Sequence, residues 1–252
     1  MAKYYDRCWN PVFGCTGCFA GCDKCYAKSL MERRNRDSSN FTKVQVNRKQ
    51  LYKSFDEKPQ LIAVCTQSDM FQDDFTHGGG DQWGLDAVMS KCNANRQNNY
   101  LFLTKFSGNM KDYFGREGLV ERLNRNHLEA FSFDNMMFGV SVCTKNDLHR
   151  VDDLKHTKNI MHRFVSFEPL LEDIEIEPSM LDGIEWVIAG AQTGDDAGPC
   201  RQEWLEKIVD AANKKGIPVF MNAVNTHDGK ITSEFDEMDE ILRRSDVPFR
   251  PR

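Results

Sequence analysis

The sequence predicts one α/β domain, a parallel (β/α) partial barrel of about six strands. Short apolar runs rich in β-forming residues recur along the chain, and polar stretches with helical spacing lie between them. No low-complexity segment or Pro/Gly/Ser-rich linker divides the 252 residues. Because alternating strands and helices are joined by right-handed crossovers, they form either a barrel or a doubly wound parallel sheet. We therefore expect residues 1–252 to be a single domain, with a loose tail from about residue 246.

The predicted elements follow one another in a regular order. Six apolar runs are the predicted strands, at 61–65, 100–104, 137–142, 163–167, 185–189 and 217–221. Helical spacing predicts helices over 81–95, 118–126, 146–156 and 202–215. The last helix ends in two lysines and Gly216, which are the basic final turn and the glycine stop typical of a helix end.

Composition excludes several classes of protein. Hydrophobic residues make up 40% of the chain and charged residues 28%, as in ordinary globular proteins. No apolar run approaches the roughly 20 residues that span a bilayer, and the first residues lack the apolar core of a secretory signal. We therefore expect a cytoplasmic protein with no membrane partner. The net charge of −5 gives no global basic field for nucleic acid, although a local basic patch around Arg33, Arg34 and Arg36 remains open.

Four of the nine cysteines crowd into the glycine-rich loop 14–26 with the pattern C-x2-C-x3-C-x2-C, at Cys15, Cys18, Cys22 and Cys25. In a reducing compartment, such a cluster is more typical of a metal site than of disulfides. Thiolates are soft ligands that suit zinc or iron–sulfur clusters. Zinc ribbons usually separate their cysteine pairs by about 12 to 20 residues, whereas three residues intervene here. The spacing therefore favours an iron–sulfur cluster over zinc, and both over inert buried thiols.

Polar residues follow the predicted strands, at the edge where parallel α/β folds place their sites. Ser68 and Asp69 follow the first predicted strand, and capping of the next helix is an equally good explanation for both. Glu168 comes directly before Pro169, which holds it extended and favours a role in a site. Gly190 and Gln192 follow the fifth predicted strand.

The loop also resembles a known superfamily. The spacing Cys18-x3-Cys22-x2-Cys25, with Tyr26 next to the last cysteine, is the one found in most radical S-adenosylmethionine (radical SAM) enzymes. The stretches Trp9-Asn-Pro-Val-Phe-Gly-Cys15 and Gly21-Cys-Asp-Lys-Cys-Tyr-Ala27 are similar to a phage and prophage protein family with radical-SAM-like features, whose C-x6-C-x2-C spacing maps onto Cys15, Cys22 and Cys25. The similarity extends over about residues 8–224, through 68–71, 103–105, 139–142, 164–170, 186–190 and 216–220.

This resemblance implies a radical SAM-like fold, related to the TIM barrel, and a radical SAM enzyme of unresolved subtype. Cys22, Cys25 and either Cys15 or Cys18 would ligate a 4Fe–4S cluster, leaving one iron open for S-adenosylmethionine. A flavodoxin- or ferredoxin-type reductant would supply the electron that yields a 5′-deoxyadenosyl radical, and the substrate would be DNA or a modified nucleotide, such as a modified nucleobase in phage DNA.

The resemblance also assigns roles to the residues at the strand ends. Ser68 and Asp69 are expected to bind the methionine end of the cofactor. The residues expected near its sulfonium, its ribose or the substrate are Ser141, Thr144 and Glu168, of which Ser141 and Glu168 are the catalytic candidates. Gly190 and Gln192 lie in a turn that allows close approach of an adenine or a carboxylate. Two other functions remain open: a zinc-stabilised nucleic-acid-binding or adaptor protein, and an electron-transfer protein with four thiolate ligands and no open iron.

Overall fold

The structure is a computed structural model that describes residues 4–17, 19–34, 38–73, 82–125, 130–194, 197–226 and 228–251, with residues 82 and 83 as backbone only. Its strands are β1 Arg7–Trp9, β2 Val12–Phe13, β3 Gln45–Val46, β4 Leu61–Val64, β5 Asn99–Thr104, β6 Met136–Ser141, β7 His162–Phe167, β8 Trp186–Ala189, β9 Val219–Met221, β10 Val224–Asn225 and β11 Ile231–Thr232. Its α-helices are α1 Tyr26–Arg33, α2 Arg48–Leu51, α3 Gln82–Asn93, α4 Ser107–Gly115, α5 Leu119–Asn124, α6 His149–His156 and α7 Gln202–Lys214.

Seven parallel strands form the main sheet, in the order β1-β4-β5-β6-β7-β8-β9. Strands that are adjacent in this sheet are also consecutive along the chain, except that β2 and β3 lie between β1 and β4 in the sequence. These two strands form a separate antiparallel ribbon. The predicted α/β class with a parallel sheet is therefore confirmed. All six predicted strands are present in this sheet, and β1 is its seventh strand, which was not predicted. The four predicted helices correspond to α3, α5, α6 and α7.

The chain divides into two compact units. The first unit contains residues 5–138, 156–161 and 249–252, and the second contains residues 1–4, 139–155 and 162–248. The prediction of a single domain stays a prediction. None of the described helices is long and apolar enough to cross a membrane.

The core of the first unit is aromatic. Every residue of β4 is buried, as expected of a parallel strand covered on both faces. The rings of Phe102 and Phe138 stack with their centroids 5.0 Å apart, and Phe114 meets Phe138 edge-on at 4.8 Å. These ring contacts join β5, β6 and helix α4 in one packed layer.

The core of the second unit lies between β7, β8, β9 and helix α7. Helix α7 buries one face, which includes Leu205, Ile208 and Val209. The predicted loose tail makes contacts in this unit: the Trp186 Nε1 donates to the Asp246 carbonyl at 2.9 Å, and the Asp246 N–H donates to the Val219 carbonyl at 3.1 Å. The looseness of the tail stays a prediction.

Candidate functional site

The cysteine loop begins at a tightly packed glycine in the first unit. Gly14 has a φ of +85°, and a Cβ there would lie 2.6 Å from the Lys43 carbonyl oxygen and 2.8 Å from that of Phe41. Only glycine fits such a conformation beside two backbone carbonyls. Gly14 also forms a parallel bridge with Ser68, whose hydroxyl donates to the Gly14 carbonyl. The loop therefore starts from a fixed point next to the carboxyl end of β4.

Three of the four predicted cysteine ligands lie among the described residues, and Cys18 lies outside them. Cys15, Cys22 and Cys25 are free thiols of intermediate exposure. The Cys15 N–H donates to the Phe41 carbonyl at 2.9 Å. The Cys25 carbonyl accepts from the Ser29 N–H at 3.0 Å in the first turn of α1, so the last cysteine is positioned by a helix start.

Cys22 and Cys25 both lie within electrostatic range of Cys15. Burial, together with the smaller effect of negative charge on Asp69, Cys22 and Cys25, raises the pKa of Cys15 to about 11, and the Gly17 N–H, which donates to the Cys15 sulfur at 3.4 Å, opposes this rise. Three thiolates so placed repel one another, and a bound cation would remove that repulsion. Among the described residues, no three His, Cys, Asp or Glu side chains yet converge closely enough to hold a metal ion.

Asp69 joins the ends of two strands beside this loop. Its buried carboxylate accepts from the Thr104 hydroxyl at 2.7 Å and from the N–H groups of Lys105 and Phe71 at 2.9 Å each. Burial raises the pKa of Asp69, and these three hydrogen bonds oppose the rise. The bond to Phe71 is a local turn bond. The cofactor role of Ser68 and Asp69 stays a prediction.

Gln72 is the residue that ties the loop to the strand ends. It is fully buried, and its Oε1 accepts from the Thr16 N–H at 2.9 Å. Its Nε2 donates to the Gly14 carbonyl at 3.2 Å, to the Ser68 hydroxyl at 3.0 Å and to the Asp69 carbonyl at 2.8 Å. One amide thus fixes both sides of the loop entrance.

In the second unit, Glu168 has the properties of a proton-transfer group. It follows β7 and is joined to Pro169 by a cis peptide bond. Burial raises the pKa of Glu168 to about 7, and the Asn222 Nδ2, which donates to its carboxylate, lowers it. The Ser141 hydroxyl donates to the Glu168 carbonyl at 3.2 Å. A carboxyl group with this pKa can be a proton donor or acceptor near neutral pH.

The other predicted residues of the second unit have local partners. The Thr144 hydroxyl donates to the Asp147 carboxylate at 3.2 Å, in a capping box at the start of a short 3₁₀ helix. The Gln192 Oε1 accepts from the Gly198 N–H at 3.0 Å. Gly190 lies so close to the following strand that a Cβ would stand 3.2 Å from the Ala223 nitrogen. The roles predicted for these residues in cofactor binding stay predictions.

A family model described as protein of unknown function (DUF5131) matches residues 1–238. The chain belongs to the DUF5131 family. No curated protein sequence matches it. Among solved structures, a mutant of spore photoproduct lyase is similar, with 10% identity, a TM-score of 0.47, and coverage of 83% of this chain and 74% of that chain.

Within this DUF5131 chain, two groups of predicted site residues come together. Cys15, Ser68 and Asp69 meet in the first unit, and Ser141, Glu168 and Gly190 meet in the second, where the Leu170 N–H donates to the Gly190 carbonyl at 2.9 Å. Sequence reasoning missed Gln72 and the bond from Asn222 to Glu168. The signal for Gln72 is its position four residues after Ser68, whereas the bond from Asn222 to Glu168 joins residues 54 apart, which no local pattern records.

Proposed function

We propose that this chain is a radical SAM enzyme whose 4Fe–4S cluster is held by Cys22, Cys25 and either Cys15 or Cys18. The main support is that three half-buried thiols, Cys15, Cys22 and Cys25, lie in one short loop, with Cys22 and Cys25 within electrostatic range of Cys15. Thiolates of this kind are the ligands that iron–sulfur clusters take. With S-adenosylmethionine bound, such a cluster supplies a 5′-deoxyadenosyl radical that abstracts hydrogen from an unactivated carbon.

The residues around the cysteine loop hold its backbone in a conformation that could bind a metal. Gln72 and Ser68 hold the loop entrance, while Gly21, with a φ of +79°, lets the backbone turn between the cysteines. In the proposed site, Ser68 and Asp69 bind the methionine end of the cofactor.

Glu168 is the proposed proton-transfer residue of the reaction. Its pKa of about 7 lets it give or take a proton at neutral pH, and Asn222 orients its carboxylate. Ser141 supports the Glu168 backbone through its hydroxyl. Thr144, Gly190 and Gln192 are proposed to bind the ribose and adenine of the cofactor.

Anaerobic reconstitution with iron and sulfide tests the proposal. We expect about four irons per chain, a paramagnetic spectrum of the reduced cluster that changes when S-adenosylmethionine is added, and reductive release of 5′-deoxyadenosine. A colourless protein that keeps one zinc and takes up no iron contradicts the proposal and supports the nucleic-acid-binding or adaptor function.

Single alanine variants identify the ligands. Cys22→Ala and Cys25→Ala should each lose the cluster, and only one of Cys15→Ala and Cys18→Ala should do so. Cys8→Ala is the matched control, because Cys8 is exposed on β1 outside the loop. If all four loop variants lose the iron and S-adenosylmethionine leaves the spectrum unchanged, the chain is an electron-transfer protein with four thiolate ligands.

The proposed substrate is a modified nucleobase in phage DNA, and the proposed reductant is of the flavodoxin or ferredoxin type. Both rest on the resemblance of the cysteine-loop segments to the phage and prophage family. Comparing the nucleosides of DNA from cells with the intact gene and with the Cys22→Ala gene tests the substrate. A new or missing nucleoside is expected only with the intact gene.

A further inference from the structure

A small cavity lies behind the cysteine loop in the first unit. It is bounded by helix α1 and by the segment that leads into β3, and its volume is about 200 Å³. Pockets for drug-sized ligands usually measure ~300–1,000 Å³. This cavity therefore has room for one ring system, with any further groups of the ligand at its mouth.

The mouth of the cavity is positively charged. Arg34 and Lys43 both line it and both are exposed. The Lys43 Nζ donates to the Asn40 Oδ1 at 2.6 Å, and neither cation forms an ion pair with another described residue. No acidic side chain is present among the described residues that line the cavity. In a chain with a net charge of −5, two uncompensated cations at one mouth favour an anionic ligand.

The walls of the cavity suit a flat heteroaromatic ring. Phe13 and Phe41 contribute aromatic rings, and Leu30 and Met31 of α1 contribute aliphatic surface. The side-chain amide of Gln67 adds a hydrogen-bond donor and acceptor, as does that of Gln45. Proteins bind nucleobases by stacking them on aromatic side chains and by forming hydrogen bonds between amide groups and the edges of the base. An aliphatic carboxylate would use the cations but not the aromatic surface.

We infer that this cavity binds a nucleoside phosphate, either free or as one unit of a polynucleotide. Its base lies between Phe13 and the aliphatic side of α1, and its phosphate lies between Arg34 and Lys43. The cavity adjoins the cysteine loop directly, because Gly14 lines it and the Phe41 carbonyl accepts from the Cys15 N–H. The inference does not depend on the cluster, since none of the residues that it uses is a proposed cluster ligand.

Binding measurements on the full chain test this inference. The probes are adenosine and guanosine, their 5′-monophosphates, S-adenosylmethionine, and a fluorescein-labelled single-stranded DNA dodecamer. We expect the monophosphates or the dodecamer to bind at least about tenfold more tightly than the nucleosides. Binding of the dodecamer alone identifies the source as a polynucleotide, and binding of both identifies a general nucleotide site.

Substitutions at the cavity separate the contribution of charge to ligand binding from the contribution of packing against the base. Arg34→Gln and Lys43→Gln should each lower phosphate-ligand affinity about tenfold and leave nucleoside affinity unchanged, while Phe13→Leu should weaken both. Lys53→Gln is the matched control, because Lys53 is an exposed lysine of the same unit that does not line the cavity. Circular dichroism melts verify that each variant is folded.

The inference is overturned if nucleosides bind as tightly as their phosphates, if S-adenosylmethionine displaces the monophosphates, or if Lys43→Gln behaves like Lys53→Gln. Loss of the iron–sulfur cluster in separate reconstitutions would leave these results unaffected.

Discussion

Glu168 is a carboxyl group whose ionised form is disfavoured by folding. Its pKa is raised to about 7 by burial, compared with about 4.3 for a glutamate in an unfolded chain. The stabilisation from the protonated form is therefore complete below about pH 4.3 and is lost as the pH rises through 7. Replacing Glu168 by Gln should remove a pH dependence of about 3 kcal/mol from the free energy of unfolding over that range. Urea denaturation of both proteins at pH 4.5, 6 and 8 measures the difference.

Asn222 provides the control for this prediction. Its amide donates to the Glu168 carboxylate and lowers the carboxyl pKa, so Asn222→Ala should raise that pKa and extend the sloping region above pH 7. If wild type and Glu168→Gln lose stability in parallel from pH 4.5 to 8, the carboxyl group titrates normally and the assignment of a proton-transfer role fails.

Gln72 should be the most sensitive polar residue of the cysteine loop. Replacement by Leu removes the amide that serves Gly14, Thr16 and Asp69 and leaves buried backbone groups without partners, which costs about 2–4 kcal/mol in the free energy of unfolding. Chemical denaturation measures this loss. Gln97→Leu, at an exposed position, should change the stability by less than about 0.5 kcal/mol. Equal effects of the two substitutions would mean that the amide network does not hold the loop.

At the scale of elements, β6 and β7 approach each other closely through Gly139. A Cβ at this position would lie 2.5–2.6 Å from ring atoms of Phe164, so Gly139→Ala should destabilise the protein by about 1–3 kcal/mol. Adding Phe164→Leu should recover part of the loss, and thermal denaturation of the two single variants and the double variant measures the coupling. Gly108→Ala is the control, because a Cβ there meets no atom within 4 Å in helix α4. It should be neutral or stabilising by up to about 1 kcal/mol.

The parts of the fold that the sequence predicts are those with strong local patterns. The six apolar strands and helix α7 have clear periodicity, and Gly216, with a φ of +66°, ends α7 as predicted. Strand β1 has only three residues and begins with Arg7, so its pairing with β4 depends on a partner about 55 residues away. Helix α4 contains Gly108 and Gly115, which weaken its helical signal.

The candidate site also has a part that local sequence patterns predict and a part that depends on residues far apart in the chain. Cysteine spacing is a local pattern, so the loop was predictable. Gln72 and Asn222 act on partners 58 and 54 residues away, and no pattern in one sequence records such contacts. The distance between the sulfurs likewise depends on tertiary packing and on the metal.

At the scale of the whole molecule, a cluster that binds only the folded loop adds its binding free energy to stability. The reconstituted protein should therefore melt several degrees above the iron-free protein, since about 1 kcal/mol corresponds to about 2–4 °C for a chain of this size. Differential scanning calorimetry under nitrogen measures the shift. Cys22→Ala should show no gain after the same treatment, and an unchanged melting temperature of the iron-loaded wild type would mean that the iron is bound nonspecifically.

The ion pair between Asp6 and Arg250, 2.8 Å long, brings the beginning and the end of the described chain side by side in the first unit. Because these two segments are close together, the protein should tolerate circular permutation, in which they are linked and new termini are opened elsewhere. A short Gly-Ser linker could join the chain after Arg250 to the chain before Asp6, with new termini opened between residues 57 and 58, in the exposed connection before β4. Such a circular permutant would keep loop 14–26 intact and place it near the carboxyl terminus, so that the cysteines would be synthesised after the strands that hold them.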